Sequence, residues 1–172
     1  MRFDRSRRTS WAGLAGFMLL AFLSTAFTFM RAPADAAELA PARTAITQGT
    51  RTEMRADFLD LTNGDRARHD RETLRLSRVL SRYATHHSRA MADRGFLFHS
   101  SEDDLRAALE GTDWTAAGEN VGVGDSLADL QDAFMASDVH RHNILARTYD
   151  HAAIGIVIED GRVWVTVVFY GD

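Results

Sequence analysis

Residues 152–170 read AAIGIVI, EDGR and VWVTVVFY, and this stretch decides the fold. Its two outer parts, 152–158 and 163–170, are rich in β-branched and aromatic residues, which is typical of strands. The Asp160–Gly161 pair between them is a strong hairpin signal. Both parts are apolar at successive positions, so we expect two central strands whose faces are both covered.

Four segments upstream of the hairpin have helical periodicity, with apolar residues at three- and four-residue steps. They are a helix that begins at about Arg51 and has Gly64 near its end, the segments 76–94 and 101–111, and a helix that begins at Asp125 or Ser126. Gly95 is expected to cap the clearest helix, 76–94, because glycine readily adopts the left-handed conformation. Helices first and an antiparallel hairpin last predict an α+β domain built in layers.

Residues 1–36 have the pattern of a secretory signal peptide. Four Arg in the first eight residues precede twenty uncharged, largely apolar residues, 11–30, and Ala34–Ala36 follows as a small-x-small cleavage pattern. The alternative is an uncleaved anchor, since twenty apolar residues span a bilayer. In both cases the basic flank stays inside, and the domain is exported to the periplasm or outside the cell. We interpret 37–50 as a linker and 51–172 as the folded domain.

The composition excludes several classes of function. The chain has 172 residues, no Cys, and 20 basic residues that are all Arg. Without Cys there is no disulfide or thiolate nucleophile, and without Lys there is no Schiff base or Walker-type phosphate loop. Removing residues 1–36 leaves 15 Arg against 22 acidic residues, a net charge of −7. We therefore expect no nucleic-acid partner, and membrane contact only through an uncleaved N-terminus.

The candidate site residues are His99, Glu119 and His140. His99 leaves a helix after an aromatic run, Glu119 lies in the glycine-rich segment 118–124, and His140 is predicted to end a helix. Imidazoles and a carboxylate suit a divalent ion such as Zn²⁺, and they also suit general acid–base chemistry. A purely structural role is the alternative for each of these three residues, for example as a hydrogen-bond acceptor or a helix-dipole partner. We expect His87, on the apolar face of the clearest helix, to be a buried histidine hydrogen bonded to backbone.

Several motifs, in order along the chain, resemble the CAP superfamily and in particular its bacterial branch. The superfamily comprises cysteine-rich secretory, antigen 5 and pathogenesis-related 1 proteins, also called SCP domains. The resemblance spans about Phe58 to Phe169, and its motifs are Leu80-x3-Ala84-x2-His87-Ser88-x2-Met91, Gly95-Phe96-x2-His99-Ser100, Gly118-Glu119-Asn120-Val121, Phe134-Met135-x-Ser137-x2-His140-Arg141-x-Asn143 and Ile154-Gly155-Ile156. It implies an α–β–α sandwich with a central antiparallel sheet.

The resemblance also implies a cleft lined by two His and two acidic residues, sometimes holding zinc or another divalent ion. By position it assigns His99, Glu119 and His140 to this cleft, with the two histidines as metal ligands. The residues expected to support them from behind are Asn120, Arg141 and Asn143.

Two positions depart from the family pattern. Ser137 stands where the family carries its second acid, and the neighbouring Asp138 would point elsewhere along a continuous helix. Val167 stands in the last strand where the family commonly has Gln. These departures argue against a complete tetrad and against a mechanism that needs two carboxylates.

The resemblance implies an exported domain that binds a ligand or a divalent metal in its His/Glu cleft. The expected partner is a small molecule, a lipid or an envelope protein. The alternative is a metal-assisted hydrolase, in which Glu119 acts as general base on a water held by His99 and His140. A third interpretation is that these residues are structural only.

Overall fold

The computed structural model describes residues 2–4 and 48–171. The helices are α1 (Gln48–Arg68), α2 (Leu80–Arg94), α3 (Glu102–Ala108), α4 (Leu127–Ala136) and α5 (Asp138–Leu145). The strands are β1 (Arg2–Asp4), β2 (Arg75–Leu76), β3 (Ala116–Gly124), β4 (His151–Glu159) and β5 (Arg162–Gly171). The predicted signal peptide after Asp4 and the predicted linker up to position 47 lie outside the described residues. Within the described ranges, no helix is long and apolar enough to cross a bilayer.

The strands form one sheet in the order β1-β3-β5-β4-β2. The predicted hairpin is β4–β5, and its turn residues Asp160 and Gly161 have φ values of 50° and 73°. Two successive positive φ angles are what a tight hairpin turn requires. β3 pairs antiparallel with β5, whereas β2 adds a short parallel pair at the edge of β4. The predicted α+β class is confirmed, with an antiparallel centre and one parallel edge.

Helices cover both faces of the sheet, as the apolar hairpin predicted. On one face α1, α4 and α5 supply Phe58, Phe134 and Ile144 to a core that also contains Ile154 and Val165. On the other face α2 and α3 pack their apolar sides against the sheet. The arrangement is the expected α–β–α sandwich, and no part of it rests on a disulfide because the sequence has no Cys.

One predicted helix boundary is wrong. Gly64 lies near the end of α1, as predicted, and the helix continues through it to Arg68 because a single glycine inside a helix is tolerated at a modest cost in stability. The helix predicted over 76–94 begins only at Leu80. The preceding Arg75–Leu76 pairs with β4 instead, so tertiary pairing overrides the local helical pattern there.

The glycine-rich segment 118–124 is part of strand β3 and not a loop. A Cβ added at Gly122 would lie 2.9 Å from Cε1 of Phe134, and one at Gly124 would lie 2.9 Å from Cγ of Leu130. These glycines therefore allow α4 to pack directly against β3.

β1 lies inside the segment predicted as a signal peptide. Arg2–Asp4 pair antiparallel with Gly118–Ala116 on the outer side of β3. Cleavage after Ala36 would remove β1 and leave that edge of β3 unpaired. The signal peptide and its cleavage remain predictions.

Gly155→Ala is expected to destabilise the domain strongly, because α2 approaches β4 at this residue with no room for a side chain. An added Cβ would lie 2.0 Å from the backbone carbon of Ala84. Forced overpacking of this kind costs about 3 kcal/mol or more. Gly64→Ala in α1 is the control, since its Cβ would lie 3.5 Å from the Arg68 side chain and helix propensity should stabilise the domain by about 1 kcal/mol. Urea unfolding of both variants checks the prediction. Equal urea midpoints for Gly155→Ala and Gly64→Ala would contradict it.

Candidate functional site

Glu119 is the buried centre of the site, with 2% of its surface exposed. It lies on β3, and its side chain points to the face of the sheet that α2 covers. Oε1 accepts hydrogen bonds from Nδ1 of His99 at 2.8 Å and from the backbone N–H of Ser100 at 2.9 Å. Oε2 accepts from Oγ of Ser100 at 2.6 Å. Both carboxylate oxygens are therefore engaged by two consecutive residues.

These hydrogen bonds keep Glu119 ionised. Burial by itself would raise the pKa of Glu119, but the hydrogen bonds from His99 and Ser100, together with nearby His87, outweigh it and lower the pKa. An ionised carboxylate only accepts hydrogen bonds, so Nδ1 of His99 is the donor. In a neutral imidazole this leaves Nε2 as the acceptor, and the His99 side chain is 43% exposed.

The segment that carries His99 is anchored before and after it. Gly95 caps α2 with φ 72°, as predicted. Nε2 of His87 lies 2.8 Å from the carbonyl oxygen of Phe98, and the two rings meet edge to face. His87 is buried, so its prediction as a core histidine bonded to backbone is confirmed. Beyond the site, the Ser101 hydroxyl caps the N-terminus of α3.

Asn120 holds the opposite side of the site. Successive strand residues point to opposite faces, so Asn120 points toward α5 while Glu119 points toward α2. Nδ2 of Asn120 donates to the carbonyl oxygen of His140 at 3.1 Å. Nδ2 of Asn143 donates to Oδ1 of Asn120 at 2.8 Å and to the backbone carbonyl of Glu119 at 3.2 Å. These contacts tie α5 to β3 through the two asparagines.

His140 lies within α5, and the prediction that it ends a helix is wrong. Ser137 is extended, with φ −94° and ψ 123°, so α4 stops before it and a new helix starts at Asp138. The His140 ring contacts Phe134, with 4.9 Å between centroids. Burial, and next the charge of His99, lowers the pKa of His140. The ring is therefore neutral near pH 7.

Arg141 supports the site indirectly. Its Nη1 donates to the carbonyl oxygen of Met135 at 2.8 Å, and its Nη2 pairs with Asp138. Both partners lie at the junction of α4 and α5, so Arg141 fixes the angle at which α5 presents His140.

Val167, where the family commonly has Gln, is opposite Asn120 in the β3–β5 register and packs into the apolar core.

Sequence reasoning did not identify two residues of the site, Ser100 and Tyr83. Ser100 contributes two of the three hydrogen bonds to Glu119, and its signal was its place after His99 in the family motif. The Tyr83 hydroxyl is buried close to Ser100 but outside good hydrogen-bond geometry. Burial and the charge of Glu119 raise the pKa of Tyr83 despite the opposing effect of Ser100. Tyr83 lies four residues before His87 on α2, so helical spacing was the signal for it.

The described side chains offer a metal ion at most the two imidazoles of His99 and His140. Among the described residues, no three His, Asp or Glu side chains are placed together to hold a metal. Glu119 uses both oxygens on His99 and Ser100, which makes it the carboxylate that orients a histidine and not a ligand itself. Nε2 of His99 and the ring of His140 remain, and an ion bound there would take its other ligands from solvent or from a bound molecule.

A model of the CAP family, described as the cysteine-rich secretory protein family, matches residues 59–169. The chain is 30% identical over 112 residues to YkwD of Bacillus subtilis, a match that covers 62% of this chain and 43% of that protein. A solved extracellular protein with an SCP domain from Bacillus anthracis is 26% identical, with TM-score 0.59 over 74% of this chain and 45% of that one. The matches therefore span less than half the length of both Bacillus proteins.

An outer surface protein from Borrelia burgdorferi has a similar fold at 14% identity. Its TM-score is 0.61, and the likeness covers 71% of this chain and 94% of that one. At this identity the likeness shows the fold alone.

Glu119→Gln is expected to lower the free energy of unfolding at pH 7 by about 2 kcal/mol, because it weakens charge-assisted hydrogen bonds in a buried place. The lowered pKa of Glu119 means that its stabilisation is present above the ordinary Glu pKa of about 4.3 and is lost as pH falls through the folded value. The difference between wild type and variant should therefore shrink in acid.

Denaturant unfolding between neutral and acid pH measures this difference. Glu102→Gln is the matched control, since Glu102 is exposed and paired with Arg106 on the surface, where such pairs contribute about 0.5 kcal/mol or less. Glu119 is not a stabilising ionised carboxylate if Glu119→Gln lowers the free energy of unfolding no more than Glu102→Gln does. The same conclusion follows if the effect of Glu119→Gln is constant with pH.

Proposed function

The chain belongs to the bacterial CAP (cysteine-rich secretory protein) family, and we propose that its domain works outside the cytoplasm by binding a ligand between His99 and His140. The observation that carries this proposal is the hydrogen bond from His99 to buried, ionised Glu119. This hydrogen bond holds His99 in one tautomer and one orientation, and the His99 side chain is open to solvent.

The protonation states define the chemistry of the ligand. In the neutral form of His99, Nε2 presents a lone pair because Nδ1 is committed to Glu119. His140 is neutral near pH 7 because its pKa is lowered, so it presents a lone pair as well. Two lone pairs favour a divalent cation or the donor group of a polar ligand, such as a hydroxyl or amine. Metal bound here would serve to recruit and polarise the donor atoms of a bound molecule.

The same contacts favour binding over hydrolysis. A general base must have an oxygen within reach of the proton that it takes. Both oxygens of Glu119 are already occupied by His99 and Ser100. Ser137 supplies no second carboxylate, and Asp138 pairs with Arg141 at the junction of α4 and α5. A hydrolase would therefore need a base from outside these residues.

The proposed location outside the cytoplasm rests on two observations. Residues 1–36 have the pattern of a signal peptide or anchor. The solved SCP-domain protein from Bacillus anthracis is described as extracellular. An envelope partner or a small molecule outside the cell is the ligand that this location offers.

Zn²⁺ is the probe that tests the site, and isothermal titration calorimetry on the full chain is the measurement. Wild type should give saturable heat, and His140→Ala should weaken binding at least about tenfold, the equivalent of 1.4 kcal/mol. Binding should also weaken below about pH 6, because protons compete for imidazole lone pairs. His86→Ala is the matched control, since His86 is an exposed histidine on α2 outside the site.

Absence of Zn²⁺ heat in wild type, or equal affinity in wild type and His140→Ala, contradicts the metal form of the proposal. Turnover of peptide or ester substrates that both a chelator and Glu119→Ala abolish would replace it with the hydrolase.

A further inference from the structure

A cavity of about 350 Å³ lies at the edge of the sheet, where α1 and α2 flank the end of β2. It shares no residue with the His99–Glu119–His140 cleft. Its described lining residues are four arginines, two threonines and one leucine: Arg51, Arg55, Arg78, Arg82, Thr52, Thr85 and Leu76. No Asp or Glu of the described chain belongs to this lining, although the whole chain carries a net charge of −4.

Arg55 forms the floor of this cavity and is 8% exposed. β2 pairs with β4 only at His151 and Ala152, so the edge of β4 is open beyond them. Nε of Arg55 donates to the carbonyl oxygen of Ile154 at 2.8 Å. Its Nη2 donates to Oγ1 of Thr85 at 2.6 Å and to the Ser81 carbonyl at 3.3 Å. Nη1 donates to none of the described residues.

The guanidinium of Arg55 is thereby held rigidly with one nitrogen uncommitted. Burial, and next the charge of Arg51, lowers the pKa of Arg55, which places a second cation close to it. Arginine side chains in proteins are protonated at neutral pH, so both groups are cations. Like charges gathered in one place repel, and an anion bound among them relieves that repulsion.

Arg78 and Arg82 complete the rim of the cavity. Both are exposed, and neither side chain forms an ion pair or hydrogen bond with any residue in the described part of the chain. Other surface arginines are paired, for example Arg75 with Asp150 and Arg89 with Glu159. Two guanidinium groups that have no partner among residues 2–4 and 48–171 therefore line the same cavity as Arg55, Arg82 from α2 and Arg78 from the turn before it.

We propose that this arginine cavity, formed by Arg51, Arg55, Arg78 and Arg82, binds a phosphate group. Guanidinium groups donate in forked pairs that match phosphate oxygens. Arginines from α1, from α2 and from the turn before α2 approach the space from different sides, which suits a tetrahedral anion with several acceptor oxygens. A planar carboxylate offers only two oxygens and a single charge. The phosphate group belongs to a free phosphate or to the headgroup of a lipid.

The test is isothermal titration calorimetry, in which inorganic phosphate is titrated into the purified full chain. Arg78→Gln and Arg82→Gln should each weaken binding about tenfold, the effect of losing one charge-assisted hydrogen bond. Arg147→Gln is the matched control, because Arg147 is exposed, lies outside this cavity and carries the same charge. It should change the affinity less than about twofold, since distant surface charges are screened.

Arg55→Lys keeps the charge and removes the forked donor, so it should abolish binding. If Arg55→Lys lowers the stability of the domain, Arg78→Gln and Arg82→Gln still test the proposal, because both substitute exposed residues. Absence of saturable phosphate heat in wild type overturns the proposal, and so does equal weakening by Arg82→Gln and Arg147→Gln. In a parallel titration with monomeric short-chain phosphatidylglycerol, tighter binding than that of inorganic phosphate identifies a lipid headgroup, and weaker binding identifies a free phosphate.

Discussion

The buried carboxylate of Glu119 is the interaction on which the cleft depends. A buried charge without partners costs several kcal/mol, so the fold must bring donors to it. His99 and Ser100 supply all three hydrogen bonds, which ties the connection between α2 and α3 to β3. The orientation of the exposed histidine is thus a consequence of satisfying a buried charge. Site geometry and domain stability are coupled through one residue.

Strand alternation extends this constraint to the second histidine. Glu119 and Asn120 are neighbours on β3 and point to opposite faces, so one holds the His99 segment and the other holds α5. The closeness of α4 to β3 at Gly122 fixes where α5 can begin. Adjacent residues of a single strand therefore hold the two segments that carry the imidazoles, the α2–α3 connection and α5.

The sequence predicted what depends on local patterns. The β4–β5 hairpin follows from strand composition and the Asp160–Gly161 turn, and the Gly95 cap follows from helical periodicity. It did not predict β3, because glycine and alanine have low strand propensity and 116–124 becomes a strand by pairing with β5. The convergence of His99 and Glu119 came from the family resemblance, since a separation of twenty residues carries no local signal. The arginine cavity was not predicted, because its arginines come from α1, from α2 and from the turn before α2, and they meet only in the folded domain.

Buried charged groups connect distant segments in this Cys-free domain. The Arg66 guanidinium is 1% exposed, and it donates to carbonyl oxygens of Glu72, Ile144, Ala146 and Tyr149 at 2.6–3.2 Å. Arg55 joins α1 to both α2 and β4 in the same way. Only a guanidinium has five donors in one plane, whereas a Lys ammonium has three on a single nitrogen, which fits a chain whose cations are all Arg. Such a group specifies its surroundings because a partner that moved away would leave a buried charge unsatisfied.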